Sequence, residues 1–191
     1  MSQAVSALGQ TSRSVVCFAD EMRLGLISQI RRRWCPRGVK LVQPQQMRFV
    51  WRWLSLAVEA TTGKLWWRWQ ENLKSVSVAQ AVQVWSQQGV SALVWDNAPG
   101  HKARLVREAG LPIAFLPPCS PELNPAERIF EEVRRRVEGS LYESIEAKVA
   151  VVEAFLSELV SDPQRVRHLA GWDWIVDALQ SLPDPVPNHV A

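Results

Sequence analysis

Three acids stand where carboxylates could be gathered to one point. The apolar run Val15 to Ala19 ends on Asp20-Glu21, and the run Leu93-Val94-Trp95 ends on Asp96-Asn97. The third acid, Glu127, follows Leu116-Pro117-Pro118-Cys119-Ser120-Pro121-Glu122-Leu123-Asn124-Pro125-Ala126. Carboxylates are hard oxygen ligands, and together they suit Mg²⁺ or Mn²⁺. Two such ions about 4 Å apart activate a water or sugar hydroxyl and stabilise the leaving oxygen of an in-line phosphoryl displacement. Without metal the carboxylates repel one another, so the empty site is expected to be strained. Asp20, Asp96 and Glu127 thus point to metal-dependent nuclease chemistry. Singly, each is an ordinary strand-end or helix-start acid. The order strand-end acid, strand-end acid, helix-start acid carries the reading.

The flanking elements must deliver these acids. Val15 to Ala19 reads as a strand, with Val16, Phe18 and Asp20 on one face. Glu21 then points to the other face, which makes Asp20 the better ligand. Arg23 to Ser28 reads as a second strand, paired with the first as a hairpin. Arg48 to Glu59 and Leu65 to Trp69 are strands joined at Thr61-Thr62-Gly63-Lys64. Ser75 to Gln88 has Val78, Ala81, Val82 and Trp85 at helical spacing, with Gly89 as the stop. Ser91 to Trp95 (strand), Lys102 to Glu108 (helix, closed by Gly110) and Pro112 to Leu116 (strand) form a βαβ pattern. Four prolines in the nine residues from Pro117 to Pro125 exclude a helix there. Asn124 is a good N-cap and Pro125 a good first helical residue. Glu127 then lies in the first turn, where the helix dipole favours an anion. Ile129, Phe130, Val133 and Val137 form that helix's apolar face. A further helix covers Ser144 to Val160 with the stripe Ile145, Val149, Val152, Phe155, Leu156 and Leu159. One or two short helices follow between Gln164 and Leu182.

The chain has 191 residues, 47% of them apolar, enough for one domain with a real core. No apolar run approaches the ~20 residues that span a bilayer. Residues 1–14 read as a flexible leader without the pattern of a signal peptide. Residues 15–160 read as the core domain, and 161–191 as short helices and a loose tail. Cys17, Cys35 and Cys119 form no CxxC pair. That argues against zinc or a disulfide framework and for a reduced cytosolic setting, with Cys17 in the core. Net charge is +3 and the pI about 9.0, but the excess is local. Arg31, Arg32, Arg33, Arg37 and Lys40 crowd one loop interrupted by Pro36 and Gly38. Such a cluster suits the phosphates of a polyanion or, more plainly, a solvated surface loop. Trp34 among them could stack on a base or, more plainly, pack over the root of its loop. The Trp-rich strands are expected to serve core or interface.

Four motifs together resemble a known family: Phe18-Ala19-Asp20-Glu21, Arg32-Arg33-Trp34-Cys35-Pro36-Arg37-Gly38, Trp95-Asp96-Asn97-Ala98 with His101, and Leu116 to Glu127. The chain resembles the catalytic domain of the IS630/Tc1/mariner group of DDE transposases over residues 15–160. The resemblance implies an α/β, RNase H-like fold with a mixed central sheet flanked by helices. It implies that Asp20, Asp96 and Glu127 are the catalytic, metal-binding acids, holding two Mg²⁺ or Mn²⁺ ions. The implied activity is DNA strand cleavage and strand transfer. Transposon ends and target DNA are the implied partners, with phosphates contacted by Arg31, Arg32, Arg33, Arg37 and Lys40. A homodimer on DNA and a bacterial cytosol or nucleoid setting also follow from it. Asn97 and His101 would sit beside the site as a turn cap and a surface histidine, with no catalytic role for His101. Cys119 departs from the family pattern, which is usually aromatic there. Only about fourteen residues precede the first strand, so the N-terminal helix-turn-helix region usual in the family is expected to be absent. The alternative is a non-catalytic remnant that binds nucleic acid or another subunit. The Pro-rich loop argues against a cellular RNase H or resolvase on the same fold.

Overall fold

β1 runs unbroken from Val16–Ile27, in a computed structural model that describes residues 15–29 and 34–180. The expected hairpin around Asp20-Glu21 does not form. No Gly or Pro interrupts the run before Gly25, and the period-two alternation continues through the acids. Val16, Phe18, Met22 and Leu24 are all buried in one cluster. Asp20 falls in that same series, so it is a core-facing position in mid-strand.

β2 (Met47–Glu59) and β3 (Lys64–Gln70) follow, then α1 (Ser75–Gln87) and β4 (Ala92–Trp95). The helix expected after β4 is split into a 3-10 turn at Pro99–Lys102 and a single turn, α2 (Arg104–Arg107). Ala103 between them is extended (φ −60°, ψ 147°), which stops the two from merging. β5 (Ile113–Phe115) closes the sheet. α3 (Ala126–Val137), α4 (Ile145–Ser161), α5 (Pro163–Ala170) and α6 (Asp173–Gln180) complete the described chain.

The strand order is β3-β2-β1-β4-β5. β1, β2 and β3 are antiparallel neighbours, whereas β4 and β5 run parallel to β1. Parallel pairing puts the C-terminal end of β4 beside the middle of β1, with β5 on the outer side of β4. Asp96 is thereby brought to Asp20. Helices cover both faces. Ile129, Phe130 and Val133 of α3 and Val152, Leu156 and Leu159 of α4 pack on the Asp20 face. Val166, Ala170 and Ile175 of α5 and α6 join the same cluster. On the other face Val78, Val82 and Trp85 of α1 meet Cys17, Ala19, Leu93 and Trp95.

Most of the tryptophan set serves packing. The Trp67 and Trp69 indoles both donate to the Glu153 carboxylate of α4, fastening β3 to that helix. Trp34 does not pack over the root of its loop: it is fully exposed. Among the described residues no helix is long and apolar enough to cross a membrane.

One turn is sterically fixed. Gly63 has φ +79°, and a Cβ there would lie 2.1 Å from the Pro163 carbonyl oxygen of α5. Gly63→Ala is expected to lower stability by about 3 kcal/mol, from left-handed strain plus forced separation of α5. A urea midpoint equal to the parent's would show that α5 does not sit against this turn.

Candidate active site

Asp20 is held from both sides. Its Oδ1 accepts from the Glu21 N–H at 2.8 Å, and its Oδ2 lies 3.3 Å from Asn124 Nδ2. The same Asn124 amide donates to the Ala19 carbonyl at 2.9 Å, and its Oδ1 accepts from the Ala126 N–H at 3.2 Å. The helix begins at Ala126 with its cap at Pro125, one residue later than expected, and Asn124 acts as a tether. Buried to 3% exposure, it fastens the start of α3 to β1 beside Asp20. Glu127, in the first turn of α3, is carried to the strand with it. The sequence marked the capping role; only the tertiary fold shows the bridge.

Asp96 sits one residue past β4, and its Oδ1 accepts from the Ala98 N–H at 3.1 Å. Asn97 is a cross-strand tie rather than a simple turn cap, since its side chain donates to the Leu116 carbonyl. That bond fixes the end of β4 to the start of the Pro-rich loop. Glu127 is partly exposed, with its Oε2 at 3.5 Å from Arg134.

Asp20, Asp96 and Glu127 line one cleft of about 330 Å³, walled by Asn97, Asn124 and the loop from Leu116 to Pro121. Burial pushes the Asp20 carboxyl up to about 7, and the charges of Glu21, Glu127 and Asp96 push the same way against the Glu21 N–H bond. The three acids therefore feel one another. Among the described residues no three acidic, imidazole or thiol groups form a ready-made metal cage. The donor set is nonetheless all oxygen, and three carboxylates facing one cleft repel one another unless a cation lies between them. Such a set fits a hard divalent ion.

His101 is not the surface residue expected. It is 4% exposed and stacks on Trp95, with ring centroids 4.0 Å apart and planes 20° from parallel. Its Nδ1 lies 2.6 Å from Asp96 Oδ1 and its Nε2 3.0 Å from Glu21 Oε2. Burial alone would lower its pKa, but the two carboxylates outweigh that and raise it to about 9. In turn the His101 ring beside Asp96 holds that carboxyl below its usual range. The Ala98-Pro99-Gly100 turn brings residue 101 back against Trp95 of β4.

Of the basic set, Arg37 and Lys40 are exposed on the loop between β1 and β2. Arg31, Arg32 and Arg33 lie outside the described residues.

The model of the DDE superfamily endonuclease family matches residues 15–147. The chain belongs to that family. Solved structures resemble this DDE endonuclease chain in fold. The Mos1 strand transfer complex is 15% identical, with a TM-score of 0.64 over 90% of this chain and 57% of that one. The Mos1 mariner paired-end complex with Mn is 17% identical, with a TM-score of 0.60 over 89% and 57%. The Mos1 transposase paired-end complex with the left transposon end is 16% identical, with a TM-score of 0.59 over 82% and 51%. The chain thus spans about half the length of these transposase chains. The expected RNase H-like fold is borne out. No curated protein matches the chain.

Proposed function

We propose that this DDE-family chain is a transposase catalytic domain of the IS630/Tc1/mariner kind. It cleaves DNA strands and joins the freed 3′-OH to target DNA. The observation that carries the reading is the cleft shared by Asp20, Asp96 and Glu127. Those three acids would hold the divalent cations, two Mg²⁺ or Mn²⁺ ions. When bound, the ions supply an activated oxygen nucleophile and neutralise charge on the phosphate and its leaving oxygen. Mos1 transposase structures with Mn and with Mg lend support.

The chain's own residues do the rest. Asn124 fixes Asp20 and the start of α3 relative to each other. Asn97 anchors the Asp96 turn against the loop. Asp20, buried against the cleft with its pKa raised to about 7, would serve as a ligand in its ionised form. Arg37 and Lys40, with Arg31, Arg32 and Arg33, contact DNA phosphates. Their contribution falls with salt as counterion release weakens. DNA ends and target are the partners, bound by a homodimer.

Supercoiled plasmid nicking tests this. The parent chain is expected to nick in millimolar Mn²⁺ and to stop with chelator. Glu127→Gln should lower the rate at least ~100-fold, since one ligand of a charge-stabilising ion is lost. No metal-dependent nicking by the parent would favour the alternative, a non-catalytic nucleic-acid- or subunit-binding module.

A further inference from the structure

We propose that His101 is a positioning residue for the metal site: clamped by Glu21 and Trp95, it grips one oxygen of Asp96 and so fixes how that carboxylate faces the cleft. This rests on the reading of Asp96 as a metal ligand.

Asp96 needs such a grip. Its side chain is about half exposed (52%) and stands just beyond a strand end. Left alone, a carboxylate there would rotate among rotamers, and a metal would have to freeze it at an entropic cost. Instead Oδ1 accepts from the Ala98 N–H (3.1 Å) and lies at ion-pair distance, 2.6 Å, from His101 Nδ1, which has no other partner among the described residues. Among the described residues Oδ2 has neither contact. It is the atom left to the cleft that Asp96 lines.

His101 can impose an orientation because it is itself immobilised. Its ring is stacked on Trp95, and Nε2 meets Glu21 Oε2 at 3.0 Å. Glu21, with 5% side-chain exposure, is tied onward. Ser55 Oγ lies 3.5 Å from Glu21 Oε1, and Gln70 Nε2 donates to Ser55 Oγ at 2.8 Å. A line of polar side chains therefore runs from Asp96 across β1, β2 and β3, on the face away from Asp20. Buried charges of this kind add little to stability compared with apolar packing of the same volume. What they provide is a fixed direction. His101 touches Asp96 from behind and reaches no reacting atom, so its role is to orient. Second-layer partners of metal ligands are worth about 10–100-fold in metal affinity.

The test is Mn²⁺ binding, followed by loss of the free-ion EPR signal, in the full chain. His101→Ala is expected to weaken Mn²⁺ affinity by about 10–100-fold. Glu21→Gln, which keeps shape and removes the charge behind the ring, is expected to weaken it severalfold. It also decides the matter if His101→Ala does not fold. Val106→Ala opens a cavity in the same core cluster without touching the bridge. It is expected to lower thermal stability while keeping parental affinity. Parental affinity in both His101→Ala and Glu21→Gln, with Asp96→Asn weakened, overturns the positioning role and leaves the metal site standing. A parent that binds no Mn²⁺, or binds it equally with Asp96→Asn, overturns the metal-site reading and this inference with it.

Discussion

Asp96→Asn is expected to abolish Mn²⁺-dependent strand cleavage, by at least ~10³-fold, with the fold intact. A metal ligand at a phosphoryl-transfer site contributes several kcal/mol of charge stabilisation, and about 4 kcal/mol is a thousandfold in rate. Asparagine keeps the carbonyl oxygen that accepts from the Ala98 N–H, so the turn is preserved. It loses the charge opposite His101, which remains paired with Glu21. The stability loss is therefore expected to be about 1 kcal/mol, the scale of a half-exposed ion pair. Two measurements on one preparation settle it: nicking rate and thermal midpoint. Cleavage by the variant at the parental rate would remove Asp96 from the chemistry.

Asp20→Asn should act in the opposite sense on stability: it is expected to stabilise the metal-free protein above pH 7. The Asp20 carboxyl goes from 3.8 to about 7 on folding. The folded state therefore binds its proton more tightly than the unfolded chain does. Below pH 3.8 both states are protonated and the charge costs nothing. As pH rises the cost grows, and it is complete above about 7. At ~1.4 kcal/mol per unit this is on the order of 4 kcal/mol. Asparagine avoids it. The variant-minus-parent gap in unfolding free energy should thus open between pH 4 and 7 and then level off. His101, raised to about 9, adds stability that is full below its unfolded value of 6.5 and fades as pH rises through 9. That trend is shared by parent and variant and drops out of the difference. Saturating Mn²⁺ should reverse the ranking at pH 8, because only the parent gains from the ion. Equal stabilities across the pH range would mean that folding does not bury the Asp20 charge at a cost.

Much of this was legible in the sequence, for physical reasons. The helix at Ala126–Val137 is announced by Asn124-Pro125 and a regular apolar stripe. The hairpin of β2 and β3 is announced by β-branched and aromatic runs around a Gly turn. The DDE-family membership was legible in the Pro-rich loop. The single strand β1 was not. Two consecutive acids look like the end of a strand, because an acid in a core-facing position is unfavourable unless something else requires it. Here the period-two pattern resumes at Met22, and Asp20 is the exception within it. The burial of His101 was equally hidden. A histidine after a Pro-Gly turn has no periodicity to betray its direction, and its partners Glu21 and Trp95 come from two other strands. Glu21 itself was read by the right rule, that neighbours point to opposite faces. Which ring waited on the far face is a matter of the sheet order β3-β2-β1-β4-β5, and spacing alone does not encode that.

The Asn124 bridge also bears on chemical ageing. An asparagine deamidates when the backbone nitrogen of the next residue attacks its side-chain carbonyl and closes a five-membered imide. At Asn124 the next residue is Pro125, whose nitrogen carries no hydrogen and is a poor nucleophile for that ring closure. Conversion of this residue to aspartate would replace the donor to the Ala19 carbonyl with a repelling oxygen and set a fresh negative charge against Asp20. The amide on which the cleft depends is thus shielded, by its neighbour, from the slow reaction that would undo it.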